Sequence, residues 1–211
     1  AIASLASSRK DAAGAAQARR EAAERLGVNP EAPTLLVTGG SLGALHVNES
    51  MTGAADALPE GAQVVHLTGR GKDEPVRAAV EAAGCSDRWH VIDYLTTMED
   101  ALAVADLVVC RSGAGTVAEM EALGLPCIYV PLPIGNGEQR LNAADHVAAG
   151  GAQLIDDKDF TADFVRSNVF PLLGSARLAD MAAASQSLGR AGAARALADL
   201  ALEQVKESGH E

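Results

Sequence analysis

Six short apolar segments, each followed by a stretch of helical character, constrain the fold of this chain most strongly. We predict strands over residues 34–38, 63–68, 89–93, 107–110, 127–130 and 153–155. Strands that alternate with helices form parallel sheets, because each crossover needs a helix-length connection. Their continuous apolar character indicates helices on both faces of the sheet. The sequence therefore predicts an α/β protein with a Rossmann-like, doubly wound parallel sheet.

The predicted helices divide the chain into three regions. Helices are expected over residues 10–26, 42–58, 74–83, 98–105, 116–123 and 138–149, and residues 161–206 are helical with breaks at Pro171, Gly174 and Gly189. We assign residues 1–32 to an N-terminal helix and linker, 33–160 to the α/β domain, and 161–211 to C-terminal helices packed on that domain. The chain begins at Ala1 rather than at Met, so we expect a fragment of a longer protein or a processed chain.

Composition argues against several classes of partner. The net charge of −11 comes without a basic stripe for nucleic acid or a polybasic patch for anionic lipid. No apolar run is long enough to span a bilayer, and no signal peptide is recognisable. Cys85, Cys110 and Cys127 are interpreted as buried thiols, because two of them lie in apolar strands and no CxxC motif occurs. The histidines lack metal-ligand spacing, so we expect no metal and no cofactor.

The loop after the first strand, Gly39-Gly40-Ser41-Leu42-Gly43, suits a phosphate. Glycines let the backbone turn sharply and expose N–H groups at a helix start, and Ser41 adds a hydroxyl donor. The alternative is a tight turn with Ser41 as the helix N-cap. Three glycines exceed what a cap needs, which favours close approach of a ligand.

The loop after the fourth strand, Arg111-Ser112-Gly113-Ala114-Gly115, also leads directly into a helix. The positive end of the helix dipole would favour an anion there. The following Thr116-Val117-Ala118-Glu119 fits a capping box, in which Glu119 would bond the helix start. The alternative is that the Glu119 carboxylate accepts hydrogen bonds from vicinal hydroxyls, such as those of a ribose.

The loop after the fifth strand, residues 131–137, combines two prolines with two glycines. Glu138, Gln139 and Asn142 follow it at a predicted helix start, where amide and carboxyl groups can bond sugar hydroxyls. An ordinary polar helix start is the alternative. All three loops should meet at one edge of the sheet, beyond the carboxyl ends of the strands, where ligands of such sheets bind.

Three segments resemble the carboxy-terminal half of the MurG family of glycosyltransferases. They are VTGGSLGALHVN, ADLVVCRSGAGTVAEMEALGLPCIYVPLP and EQRLNA, and the resemblance covers about residues 33–155. Members of that family transfer N-acetylglucosamine to lipid I, which makes lipid II for peptidoglycan. They have the two-domain GT-B fold, with an acceptor half followed by a UDP-sugar half. The resemblance implies that this chain is the UDP-sugar half.

The resemblance also implies roles for individual residues. Ser41 would lie near the diphosphate, Leu95 would contact uracil, Glu119 would bind the ribose and Gln139 would read the sugar hydroxyls. The full donor-binding set that it implies is Gly40, Ser41, Leu95, Ala114, Gly115, Thr116, Val117, Ala118, Glu119 and Gln139. The helix starts in this set would stabilise the leaving diphosphate in an inverting transfer from UDP-N-acetylglucosamine.

The chain departs from the family pattern at several positions. Glu138 and Leu42 stand where members often have glutamine, and a family arginine expected upstream has no match, since Arg9 is in a different context. The acceptor half is expected to lie outside this chain, with the general base, the lipid I site and the membrane contact. No catalytic residue is therefore assigned here, and the chain alone should bind the donor weakly and transfer nothing. The intact enzyme is expected on the cytoplasmic face of the bacterial membrane.

Other classes of function remain as alternatives. The chain could be a nucleotide-sugar-binding subunit of a split glycosyltransferase, or a UDP-sugar epimerase of the same architecture. An NAD(P)-binding oxidoreductase is suggested by Thr38-Gly39 and Gly43, but Leu45 stands where the last fingerprint glycine would be. The second strand also ends in Leu67-Thr68-Gly69, without the acidic residue that would bind a ribose 2′-hydroxyl.

Overall fold

A six-stranded parallel sheet forms the centre of the protein. The computed structural model describes residues 2–9, 11–40, 43–133 and 137–188, and within them the strand order is β3-β2-β1-β4-β5-β6. The strands are β1 (Thr34–Thr38), β2 (Gln63–Leu67), β3 (Trp89–Ile92), β4 (Leu107–Cys110), β5 (Cys127–Tyr129) and β6 (Ala152–Leu154). Every pair of neighbours is parallel. The prediction of a Rossmann-like, doubly wound sheet is confirmed.

Helices occupy the connections between the strands. They are α1 (Ile2–Ser8), α2 (Ala12–Leu26), α3 (Leu45–Thr52), α4 (Asp73–Ala82), α5 (Met98–Val104), α6 (Ala114–Leu123), α7 (Glu138–Asn142), α8 (Ala144–Ala148), α9 (Ala162–Phe164) and α10 (Ala176–Leu188). Between α9 and α10 the chain continues through a π-helical turn (Val165–Val169) and a 3₁₀ turn (Phe170–Leu172). The predicted break at Gly189 lies outside the described residues.

The two faces of the sheet carry separate cores, because successive strand residues point to opposite sides. Leu35 and Val37 of β1 pack with α3, α4 and α10, whereas Leu36 packs with α1, α2, α5 and α6. All five residues of β1 are buried. Continuous burial explains why the strand sequences are apolar throughout rather than alternating.

The N-terminal helices belong to this packing. Arg19 of α2 pairs with Asp106 through two contacts of 2.9 Å and donates to the carbonyl of Pro30 at 2.6 Å. Asp106 also accepts the backbone N–H of Thr34 at 2.7 Å. The arginine therefore joins α2 to the start of β1 and to the residue before β4. Residues 1–32 thus include two helices on the sheet rather than a single helix and a linker.

Several predicted helix boundaries are wrong. α3 spans Leu45–Thr52 instead of residues 42–58, and its N-cap position is Ala44. α6 begins two residues before the predicted start, at Ala114. Residues 138–149 form two short helices that meet at Ala143, instead of one. In each case the sequence shows helix propensity, but packing sets the end points.

Candidate functional site

A cleft opens at the carboxyl ends of β1 and β4, where the strand order reverses. Its volume is about 280 Å³. Thr38, Leu67 and Cys110, the last residues of β1, β2 and β4, form its floor. α3 lies on one face of the sheet and α6 on the other, so their connections diverge here and leave the opening uncovered. This is the position predicted for the ligand.

The N-terminus of α6 lies beside the cleft, because the third residue of the helix, Thr116, lines it. The N-cap is Gly113, which has no side chain for capping, and the first intrahelical bond runs from Val117 N to Gly113 O at 3.0 Å. The N–H groups of Ala114, Gly115 and Thr116 come before that bond in the helix, so they have no acceptor within it. Donors and helix dipole together favour an anion at this end of the helix.

The capping-box interpretation of Glu119 is wrong. Thr116 is the third residue of α6, not its N-cap, so Glu119 lies too far along the helix to bond the N-cap backbone. Thr116 and Glu119 instead line the cleft, together with Met120. The carboxylate of Glu119 is therefore placed beside a cavity, and the structure leaves the ribose-binding alternative standing as a prediction.

The cleft is also lined by the connection between β3 and α5 and by the first residue of α5. Tyr94, Leu95 and Met98 provide an apolar wall, and Asp93 lies at its edge. Leu95 was predicted to contact the base, and it shares the cavity with Glu119. An apolar wall facing a carboxylate and helix N–H groups suits a ligand with a flat base at one end and hydroxyls and phosphates at the other.

The loop after β1 is anchored to the loop after β2. Gly43 N donates to Gly40 O at 2.9 Å. Gly43 has a φ of +68°, and a Cβ built on it would lie 2.1 Å from Thr68 O. Only glycine fits this close approach. Ser41 itself lies outside the described residues, but the N-cap of α3 is Ala44, so the interpretation of Ser41 as an N-cap is wrong.

A buried polar network supports the same loops from below. Asn48 of α3 donates to Thr68 O at 3.0 Å, and its side-chain oxygen is 3.0 Å from His66 Nε2. The indole N–H of Trp89 lies 3.3 Å from the other ring nitrogen, which therefore acts as the acceptor. Burial lowers the pKa of His66 to about 3, so the ring is neutral. The network joins α3, β2 and β3 beneath the cleft.

Arg111 separates this cleft from a second cavity. Arg111 lines the cleft, and its Nη1 donates to the carbonyls of Val130 and Pro131 at 3.0 and 3.1 Å and to Asp157. Pro131 and Asp157 line the second cavity, whose volume is about 480 Å³. Asp157 also lies 3.1 Å from His46 Nδ1, although the two groups are not aligned for a hydrogen bond.

Gln139 lies in this second cavity rather than in the cleft. Its side-chain oxygen accepts the N–H of Leu132 at 2.9 Å, which leaves the amide N–H groups as donors for a ligand. Glu138 lines the same cavity and is exposed. Asn142 was predicted to face a sugar from a helix start, but it is the last residue of α7 and donates to Ser112 O at 3.1 Å. That part of the prediction is wrong, because the amide is engaged with the protein.

The structure thus brings together some of the predicted residues and separates others. Four of them line the cleft at the switch point: Gly40, Leu95, Thr116 and Glu119. Ala114, Gly115 and Ala118 are exposed near it on α6, and Val117 is buried in the core, so only its backbone could face a ligand. Gln139 is one cavity away, beyond Arg111.

Sequence reasoning missed several residues that line the two cavities. From the sequence alone, no individual role is assigned to Arg111, Thr38, Tyr94 or Asp157. Each follows the end of a strand or closes one, so their places in the predicted topology were a usable signal. Arg9 does not replace the family arginine here, because it donates to Leu102 O on α5 at 3.3 Å and does not line the cleft.

A larger cavity, of about 620 Å³, lies at the opposite end of the sheet. It is lined by residues of α2 and α10 and by the Arg19–Asp106 pair. Both charged groups of that pair are already bonded to each other and to the backbone. The cavity at the carboxyl ends of the strands is smaller, but it alone of these two lies at the switch point and beside a helix N-terminus.

None of the described helices is both long enough and apolar enough to cross a bilayer. Cys85, Cys110 and Cys127 are all buried and free, which confirms their interpretation as thiols. Burial beside Cys110 raises the pKa of the Cys127 thiol well above its ordinary value. These thiols are therefore packing residues.

Comparison with known sequences identifies relatives over most of the chain. The model of the glycosyltransferase family 28 C-terminal domain matches residues 34–197. Proteins of Bifidobacterium longum and Paenarthrobacter aurescens are 46% and 47% identical to the chain, each over 92% of it. Both are named UDP-N-acetylglucosamine–N-acetylmuramyl-(pentapeptide) pyrophosphoryl-undecaprenol N-acetylglucosamine transferase. The chain spans about half the length of these relatives, 53% and 52%.

Solved structures show the same similarity. The crystal structure of Acinetobacter baumannii MurG superposes with a TM-score of 0.71 at 27% identity, over 86% of this chain and 52% of that one. The lipopolysaccharide glycosyltransferase WaaG superposes with a TM-score of 0.63 at 19% identity, over 82% of this chain and 46% of that one. The second similarity shows the fold alone. Both matched regions are about half of a longer chain.

Proposed function

The chain belongs to the glycosyltransferase family 28 C-terminal domain family, and we propose that it binds UDP-N-acetylglucosamine as the donor half of a lipid II-forming transferase. The intact enzyme would transfer N-acetylglucosamine to lipid I in peptidoglycan synthesis. The relatives at 46–47% identity are named as N-acetylglucosamine transferases with an N-acetylmuramyl-(pentapeptide) pyrophosphoryl-undecaprenol substrate. The proposal assigns nucleotide binding to this chain and acceptor binding to the part of those relatives that the chain does not cover.

One observation carries the proposal: the switch-point cleft combines the groups that a uridine diphosphate needs. Leu95 and Tyr94 offer an apolar wall for the base, and Glu119 offers two carboxylate oxygens for the ribose diol. The N–H groups at the start of α6 lie beside them for the phosphates. Gln139 in the neighbouring cavity would then bond hydroxyls of the sugar.

The same arrangement supplies the chemistry expected of the donor side. When the lipid-linked hydroxyl attacks the anomeric carbon with inversion, the bond to the diphosphate breaks and negative charge grows on the leaving group. The N-terminus of α6 would stabilise that charge, and Arg111 would add a guanidinium held in place by Asp157. The general base and the membrane contact are proposed to lie outside this chain, so the chain alone is expected to transfer nothing.

Amide chemical shifts during titration with UDP-N-acetylglucosamine test the donor site directly, and NADH serves as the comparison ligand. Shifts at Gly40, Leu95 and the start of α6 with the sugar nucleotide alone would support the proposal. Shifts with NADH instead would overturn it in favour of an oxidoreductase. An absence of any response would refute donor binding by this chain.

Substitution of the ribose ligand gives a second arm. Glu119→Ala should weaken binding of UDP-N-acetylglucosamine, because a hydrogen-bonded carboxylate is lost, and should leave the urea midpoint of unfolding unchanged. Removal of a hydrogen bond to a charged group reduces affinity about 10- to 100-fold. Glu81→Ala, on the exposed part of α4, is the matched control. Normal affinity in Glu119→Ala would contradict the assigned role.

A further inference from the structure

A charged residue next to the cleft has no place in the function described so far. Arg70 lies in the loop after β2, and its guanidinium carbon is 3.9 Å from the centre of the Tyr94 ring. Tyr94 lines the cleft, with 40% of its surface exposed. The residue pair therefore stands at the mouth of the cleft, on the side where the base is proposed to bind.

The backbone holds Arg70 in a fixed position. Lys72 N donates to Gly69 O at 3.1 Å, so Arg70 is the second residue of a tight turn. The third residue, Gly71, has a φ of +70°, a left-handed conformation that glycine adopts readily. The turn follows Thr68, whose carbonyl is packed against Gly43. Arg70 thus projects from a rigid tip rather than from a long loop.

The charge of Arg70 is directed to the ring. In the part of the chain that the structure describes, no carboxylate forms an ion pair with Arg70, whereas Arg111 in the same cleft is paired with Asp157. A guanidinium at 3.9 Å from a ring centre is within the range of a favourable cation–π contact. Gly69 and Tyr94 line the cleft, whereas Arg70 contacts the Tyr94 ring without lining the cleft itself.

We propose that Arg70 is a positioning residue for donor binding, which fixes the Tyr94 ring as the outer wall of the base subsite. This inference rests on the proposed donor function. An exposed ring without support would sample several rotamers, and a ligand would have to select one of them. The stacked guanidinium restricts the ring before the ligand arrives, so the base meets a preformed wall.

The proposal predicts a pattern of binding to two probes, uridine and UDP. Arg70→Met keeps the length of the side chain and removes the charge, and both probes should bind about two- to fivefold more weakly. The factor should be the same for both, because the contact acts on the base and not on the phosphates. Arg70→Lys should restore part of the loss. Arg20→Met, on the exposed face of α2 far from the cleft, controls for the change in net charge.

A double substitution shows whether Arg70 acts through the ring. Tyr94→Ala should weaken both probes at least as much as Arg70→Met does, and Arg70→Met should add nothing in the Tyr94→Ala background. Calorimetric titration of the 211-residue chain and its variants measures all of these affinities. Unchanged urea midpoints would show that the losses are not due to unfolding.

Each contrary outcome has a distinct meaning. A loss confined to UDP, and persisting in the Tyr94→Ala background, would make Arg70 a direct phosphate ligand and overturn its role through the ring. Normal binding by Arg70→Met would overturn the inference while leaving the donor site intact. Failure of the unsubstituted chain to bind either probe would refute the donor function itself, and the inference with it.

Discussion

Substitution of Gly43 by alanine tests how the loop after β1 is held in place. Gly43 has a φ of +68°, and an added Cβ would lie 2.1 Å from Thr68 O and 3.0 Å from Gly69 Cα. These are backbone atoms, and they cannot easily move away. Thr68 N donates to Ile92 O at 3.0 Å, and Thr68 O accepts the side-chain amide of Asn48 at 3.0 Å. The methyl group would therefore displace the loop and not its neighbour.

The expected cost has two parts. An alanine in the left-handed region costs about 1–2 kcal/mol relative to glycine. Inserting a methyl group against fixed atoms costs about another 1–3 kcal/mol. The free energy of unfolding should therefore fall by about 2–5 kcal/mol in Gly43→Ala. Domains of this kind have about 5–15 kcal/mol in total, so the variant should still fold at room temperature.

Gly61→Ala separates the two parts. Gly61 has a φ of +77°, but a Cβ there would have no atom within 4 Å. Only the conformational cost should appear, so urea denaturation should show Gly43→Ala to be the less stable variant by about 1–3 kcal/mol. UDP should also bind more weakly to Gly43→Ala alone, because the displaced loop borders the cleft. Equal loss of stability in the two variants would refute the reasoning from the Thr68 contact.

Two further predictions concern buried histidines and a partly buried ion pair. Burial lowers the pKa of His66 to about 3 and of His146 to about 4, whereas both have ordinary values near 6.5 in the unfolded chain. The unfolded state therefore binds more protons below pH 6.5, and the free energy of unfolding should fall by about 2 kcal/mol per unit as the pH drops from 6 to 5. Urea titrations should show about half that slope in His146→Gln, and an unchanged slope would contradict the assignment. Asp106→Asn should lower the free energy of unfolding by about 2 kcal/mol, because it weakens the charged contacts with Arg19, whereas the exposed control Asp87→Asn should have little effect. Equal urea midpoints for these two variants would show that the Arg19 contact does not stabilise the fold.

The strands could be predicted closely because each is buried on both faces. The run LVVC appears as β4 over the predicted residues, and TLLVT appears as β1. Each of the other strands differs from its prediction by one residue at one or both ends. Periodicity and composition suffice here, since a strand covered on both sides needs apolar residues without interruption.

Helix starts were less predictable because local signals competed. Thr116-x-x-Glu119 has the spacing of a capping box, yet α6 begins at Ala114 behind a glycine N-cap. A donor site would benefit from a helix start without its own side-chain cap, because the N–H groups then remain available. The capping pattern therefore gave a wrong prediction at a position where helix stability favours a side-chain cap but the proposed function favours free N–H groups.

The sequence by itself determined that strands alternate with helices, that the sheet is parallel, and that three loops lie at its carboxyl edge. Those features depend on periodicity and on backbone preferences that act over a few residues. Only the tertiary structure decided which side chains share a cavity: Glu119 and Leu95 line the cleft together, whereas Gln139 lines the neighbouring cavity. It also placed the Arg70 guanidinium against the Tyr94 ring. These two residues belong to the loops that follow two neighbouring strands, β2 and β3. Such contacts join segments far apart in the chain, and they depend on strand register and packing, which short-range patterns do not specify.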